Sequence, residues 1–420
     1  MNTITLKNKP VILKNTDFQT ILIQVMFFYK KETNDLANIN LLPALLNFMN
    51  NKYKTESEFA LERKKLMILG TNVNKMSLGE NGYYSFNMIV PDTYALGDDL
   101  LDEQFAFLKE FIYNPRVENG AFLQFEFERE KENIKRGIDN CLKNMMPYHS
   151  HRIKNLIDDE GYLSDTLINN QELLNEATPQ SVYEFYLNNI KNNQPVIYVF
   201  GNVDENRIND LCNKFLYLNK FENTQKEYKL DYYLKPRDTV QTIEENSTFK
   251  DSAISYIYKV KDMNKNDIIV LNLIKDLLNS LSSRLLNKKL RDENDLIYSS
   301  KVVSYEHFGV FEITALINKD NVSIVKTKIL EVIEDLKNEE LVTPLLENIK
   351  ERKRLNLLRI LDDKYALLSE FVVSNLKLDD TLEVLYEKTK NITAKDISNF
   401  VNRLVLDTVY FLKEEEYEQN

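Results

Sequence analysis

Arg291 and Tyr298 close the two ends of the run Arg291-Asp-Glu-Asn-Asp-Leu-Ile-Tyr298. A guanidinium is a fixed cation carrying a planar fork of N–H donors, and a phenol adds one O–H donor. The preceding stretch, residues 281–290, has a helical pattern, and Ser299-Ser-Lys-Val-Val-Ser304 reads as a strand. Arg291 therefore sits near a helix end and Tyr298 near a strand start. Two donors converging across such a turn suit one polar target, a peptide carbonyl or the oxyanion that develops from it. A surface Arg beside a packed Tyr fits the same spacing, so spacing alone does not choose.

Few other groups compete for a chemical role. The chain has three His and two Cys, too few for a disulfide framework or a cysteine zinc site. His149 and His151 are the only close pair. On a helix, residues two apart point about 200° away from each other, so hydrogen-bonded or solvated roles are expected rather than a shared metal. His307 follows Glu306 in a predicted hairpin, without a second His nearby. The nine Gly form neither a dinucleotide fingerprint nor a phosphate loop. Lys350-Glu-Arg-Lys-Arg354 lies in a helical pattern and reads as a solvated face.

The elements that must position Arg291 and Tyr298 recur along the chain. Ser77-Leu-Gly-Glu-Asn-Gly82, with the alternating run to Val90, aligns without gaps on Ser304-Tyr-Glu-His-Phe-Gly309 and its run to Ile317. Each reads as a β-hairpin, the first turning at Asn81-Gly82. The helix starts at Thr178 and Thr393 also match, each Thr an N-cap by residue preference before an amphipathic helix and a closing strand. The pattern predicts an α+β fold of two homologous halves, each a mainly antiparallel sheet covered by helices. The expected division is residues 1–220, a polar linker at 221–250, and residues 251–420.

The wording around Arg291 resembles the C-terminal motif of the insulinase-like (pitrilysin) zinc peptidases, roughly S-R-L-F-x-x-L-R-E-x-x-G-L-A-Y-S. Ser283-Arg284-Leu285, Leu290-Arg291 and Leu296-x-Tyr298-Ser299 carry the likeness. Asp295 replaces the family's Gly, and the leading Ser-Arg-Leu lies one residue further from Arg291. The two-halved organisation is also similar to that family. By resemblance, Arg291 and Tyr298 bind the scissile region of a peptide opposite the zinc.

Active members carry H-x-x-E-H on a helix of the first half, where two His one turn apart hold Zn²⁺ and the Glu activates water. Counting back from Leu45-Leu-Asn-Phe-Met49, that motif falls on Asn40-Leu-Leu-Pro43-Ala44. The later ligand position falls on Gly137, within Glu128-Arg-Glu130-Lys-Glu-Asn-Ile-Lys-Arg-Gly137. The degenerate metal positions are thus Asn40, Pro43, Ala44 and Gly137, and no metal is expected on this chain.

The resemblance implies a non-catalytic subunit of a two-component peptidase. A homologous H-x-x-E-H chain would be its heterodimer partner and carry the zinc, and a peptide would be the substrate. The alternative is a purely structural subunit of the same fold. A homodimer is an option for the isolated chain. The net charge of −11 disfavours a nucleic-acid partner. No apolar run is long enough to span a membrane, and the N-terminus lacks a signal-peptide pattern, so a cytoplasmic location is expected.

Overall fold

The computed structural model describes residues 3–5, 9–47, 49–92, 97–221, 227–229, 231–279, 285–363, 366–367, 370 and 382–415. Its chain forms two compact units, each built on a five-stranded sheet.

The first sheet contains β1 (Val11–Lys14), β2 (Thr20–Lys30), β3 (Gly70–Leu78), β4 (Asn81–Pro91) and β5 (Val196–Gly201). Their order is β1-β5-β2-β4-β3, antiparallel except for the parallel pair β1 and β5. Between β2 and β3 lies α1 (Leu36–Leu46), and between β4 and β5 lies α2 (Gln124–Lys143). β2 is buried along almost its whole length, as its apolar run from Thr20 to Tyr29 requires.

The second sheet contains β6 (Gln241–Ser247), β7 (Ser252–Val260), β8 (Ile297–Tyr305), β9 (Val310–Ile317) and β10 (Leu404–Glu414). Its order, β6-β10-β7-β9-β8, repeats that of the first sheet strand for strand, including one parallel edge pair. The α+β duplication expected from the hairpins is therefore present in the topology. The predicted helix caps hold as well. Thr178 accepts from Ser181 N–H and Thr393 from Asp396 N–H, each in a reciprocal capping box.

Three expectations differ from the structure. The first hairpin turns at Gly79, which has φ +61, whereas Asn81 and Gly82 already lie in β4. Gly82 is needed for another reason: the Tyr29 ring lies where a Cβ would project. The expected linker holds β6, which pairs in register with β10 and edges the second sheet. Upstream of it, Tyr232 N–H and Leu234 N–H donate to the carbonyls of His307 and Phe308. The third difference concerns α3 (Met145–Ile157), which lies within the first 220 residues but packs with the second unit. Ile153 and Ile157 lie in one apolar cluster with Ile257, Val310, Tyr410 and Leu412 of the second sheet. That sheet's other face carries α4 (Asp267–Asn279), α5 (Val322–Asp335) and α6 (Glu339–Asp362) in a larger core. A sheet apolar on both faces needs cover on both, and α3 supplies the second cover.

His149 rides on α3 and is fully buried. Its Nε2 lies 3.4 Å from Ser255 Oγ, and its ring stacks on Tyr410 at 5.0 Å. Burial pushes its pKa down from 6.5 to about 4, and Lys301 adds to the effect. The folded state thus resists a proton that the unfolded chain accepts. Above pH 6.5 both forms are neutral and no penalty exists; as pH falls from about 6.5 to about 4, His149 withdraws roughly 3 kcal/mol of stability. Urea titrations at pH 7 and pH 4.5 check this. The loss is expected to shrink in His149→Gln, and an unchanged loss refutes the assignment.

Candidate peptide-binding site and the degenerate metal positions

The segment from α4 to β8 holds Arg291 and Tyr298. The structure describes it from Leu285 onward, so Ser283 and Arg284 of the motif lie outside the described residues. After a single turn at Leu285–Asn287 the helix widens into a π-turn, Lys288–Asp292, which places Arg291 in its last turn and exposed. The chain then reverses at Asp295, whose φ is +50. This is the position where the resembling motif has Gly, and here Asp adopts the left-handed conformation that Gly takes most easily. Asp295 N–H donates to the Arg291 carbonyl at 2.9 Å, and Leu296 N–H to the Leu290 carbonyl at 2.8 Å. Both bonds close the helix end.

Apolar anchors hold the turn from beneath. Leu290, Leu296 and Ile297 are buried in the second core. Lys289 pairs with Asp335 on α5, and Asn321 Nδ2 donates to the Leu296 carbonyl at 3.2 Å.

Tyr298 owes its direction to a fault in the ladder. Ile297 pairs with Ile317, but Ser299 pairs with Leu316, so Tyr298 is an extra residue on β8. Such a bulge re-aims a side chain. Tyr298 is 56% exposed, unusual for a large aromatic in a strand. Among the described residues, neither its hydroxyl nor the Arg291 guanidinium has a hydrogen-bond or ion-pair partner. Both polar heads are therefore free to meet a ligand. The bulge and the π-turn are what the sequence did not reveal about this pair.

The four positions that the resemblance would make degenerate metal positions lie in the first unit. Asn40, Pro43 and Ala44 share the half-buried face of α1, while Leu41, Leu42, Leu45 and Leu46 are buried. Pro43 is interior to the helix and cannot donate to the Ile39 carbonyl. The Tyr84 hydroxyl takes that role at 3.0 Å, which keeps the helix satisfied. Asn40 Nδ2 donates to the Leu36 carbonyl at 2.7 Å. Gly137 is an exposed residue of α2 with open space around its Cα. Nearby Glu130 is engaged by Arg129 at 2.7 Å and Asn133 at 2.9 Å.

An amide, a ring, a methyl group and a hydrogen do not form a zinc donor set. Sequence reasoning missed a fifth participant. Lys75, on β3, donates from Nζ to Asn40 Oδ1 at 2.6 Å, and burial lowers its pKa to about 8. The signal was available, since Lys75 shares the inward face of the strand with buried Val73. Among the described residues, no group of three or more His, Cys, Asp or Glu is placed to hold a metal ion. These residues do not fit zinc.

Residues 176–353, which include Arg291 and Tyr298, match the family model described as the Peptidase M16 inactive domain. Over 417 residues the chain is 22% identical to the "Probable inactive metalloprotease YmfF" of Bacillus subtilis (strain 168), covering 96% of this chain and 95% of that protein. The family pattern thus lies over residues 176–353, and along nearly its whole length the chain is similar to a probable inactive metalloprotease. Solved structures share the fold. A conserved protein from Enterococcus faecalis V583 superposes with a TM-score of 0.86 at 20% identity, over the whole of both chains. The peptidase M16 inactive domain from Pseudomonas fluorescens gives 0.75 at 13% identity, again over both whole chains. Among the described residues, no helix is long and apolar enough to cross a membrane.

Proposed function

We propose that this chain is an M16 homologue and serves as the substrate-binding subunit of a two-component zinc peptidase, working in the cytoplasm beside a homologous chain that carries H-x-x-E-H. The observation that carries the reading is the pair at the α4–β8 turn. Arg291 and Tyr298 are exposed, lack partners among the described residues, and are held by a left-handed Asp295 and a strand bulge. Holding such a turn without Gly costs conformational energy, and a surface loop with no task has no need of it.

In this reading the partner's zinc would supply Lewis-acid polarisation of the scissile carbonyl. The chain's own part is to grip. Arg291 donates to the carbonyl oxygen as negative charge grows on it, and Tyr298 adds a second donor from the strand side. Both bonds strengthen in the transition state, when the acceptor becomes an oxyanion. The two free cysteines, Cys141 and Cys212, suit a reducing compartment. The reading is tested by affinity capture of the chain from its native cells. A similarly sized protein bearing H-x-x-E-H is expected to co-purify; recovery of the chain only as a homodimer refutes the pairing.

A further inference from the structure

We infer that Lys75 is the resident cation of the degenerate metal positions, its ammonium standing where a divalent ion would be held and barring one from entering. Asn40, Pro43 and Ala44 occupy one face of α1, and β3 runs against it. Two polar tethers join them. Lys75 Nζ donates to Asn40 Oδ1 at 2.6 Å, and one turn beyond Ala44, Asn47 Oδ1 accepts from Val73 N–H at 3.1 Å. Asn40 is fixed in turn by its bond to the Leu36 carbonyl, so its oxygen is aimed at Lys75.

The charge is what makes this contact informative. Among the described residues Lys75 has no carboxylate partner, and its single acceptor is a neutral amide. The side chain is half-buried, and a cation so placed is ordinarily paired with an acid. Among the described residues, its neighbourhood offers an amide acceptor and no carboxylate partner. An ammonium satisfies such a site with one positive charge and directional N–H donors, where a divalent ion demands several lone pairs. With Lys75 in place, a second cation beside it meets direct repulsion at low local dielectric. Restoring ligands alone is therefore insufficient to restore metal binding.

The inference rests on the register that puts Asn40 and Ala44 at the degenerate positions, and is independent of Arg291, Tyr298 and any partner. The test compares Asn40→His/Ala44→His with the same chain carrying Lys75→Met as well. Two His one turn apart on one helix face can chelate zinc by themselves. Equilibrium dialysis against zinc ions is expected to show binding at least about 100-fold tighter once Lys75 is removed. Equal affinity in the two variants overturns the inference, and so does the absence of uptake by either. Melting curves report whether each variant folds.

Discussion

Replacing Arg291 by Ala is expected to slow peptide cleavage by the proposed two-chain enzyme by about 10²–10³-fold in kcat, the cost of one oxyanion donor, about 2.7–4 kcal/mol. Assembly with the partner and the folding of this chain are expected to be unchanged. Arg291 is exposed and bonds through its backbone, and the buried neighbours that hold the turn are Leu290, Leu296 and Ile297. The loss is expected mainly in kcat, because the donor gains strength as the carbonyl becomes an oxyanion. Arg291→Lys is expected to recover little, since an ammonium lacks the planar fork. Steady-state kinetics with a defined peptide decide the matter. A scaffold role for the chain predicts wild-type rates in both variants.

The second large effect concerns stability. Asp407 is fully buried in β10 and binds two cations: Arg237 Nη1 at 2.6 Å and Lys259 Nζ at 3.2 Å. It also accepts the Arg237 backbone N–H at 2.8 Å. Lys259 is itself almost wholly buried. Asp407→Asn keeps the shape but strips the charge, leaving Lys259 uncompensated, and is expected to cost about 3–5 kcal/mol. Pairing it with Lys259→Met is expected to restore much of that loss, because the orphaned charge is removed along with its partner. Urea unfolding of the four chains in the double-mutant cycle measures it. A loss below 1 kcal/mol for Asp407→Asn contradicts the role given to Asp407. The experiment also bears on organisation, because Arg237 lies in the stretch whose polarity suggested a linker.

What the sequence made legible follows from how much each feature depends on local pattern. The alternation in Tyr83–Val90 and Val310–Ile317 and the caps at Thr178 and Thr393 are local, and they appear where periodicity and capping chemistry put them. β6 escaped because Gln-Thr-Ile-Glu-Glu-Asn-Ser is an exposed edge with a single aliphatic residue, so its pairing with β10 leaves no apolar signature. The helix Glu205–Leu216 was overlooked although its buried residues, Ile208, Leu211, Cys212 and Leu216, keep helical spacing behind an Asp204 cap. The assignment of α3 to the second unit depends on which sheet lacked cover, a matter of tertiary packing that no window of sequence contains.

The candidate site divides in the same way. Arg291 and Tyr298 stood out by residue type and by the resemblance of their surroundings. Their exposure depends on a register slip and a left-handed Asp, neither of which a one-dimensional pattern specifies. Asn40, Pro43 and Ala44 were found by counting within a motif. Lys75 comes from a strand about thirty residues away, and only the fold brings its ammonium to Asn40.

The most direct measurement is cleavage of a defined peptide by purified chains, alone and in combination. This account predicts no cleavage by the isolated chain with or without added zinc, cleavage when an H-x-x-E-H partner is added, and loss of that cleavage with Arg291→Ala. Chelator-sensitive cleavage by the isolated chain would contradict it.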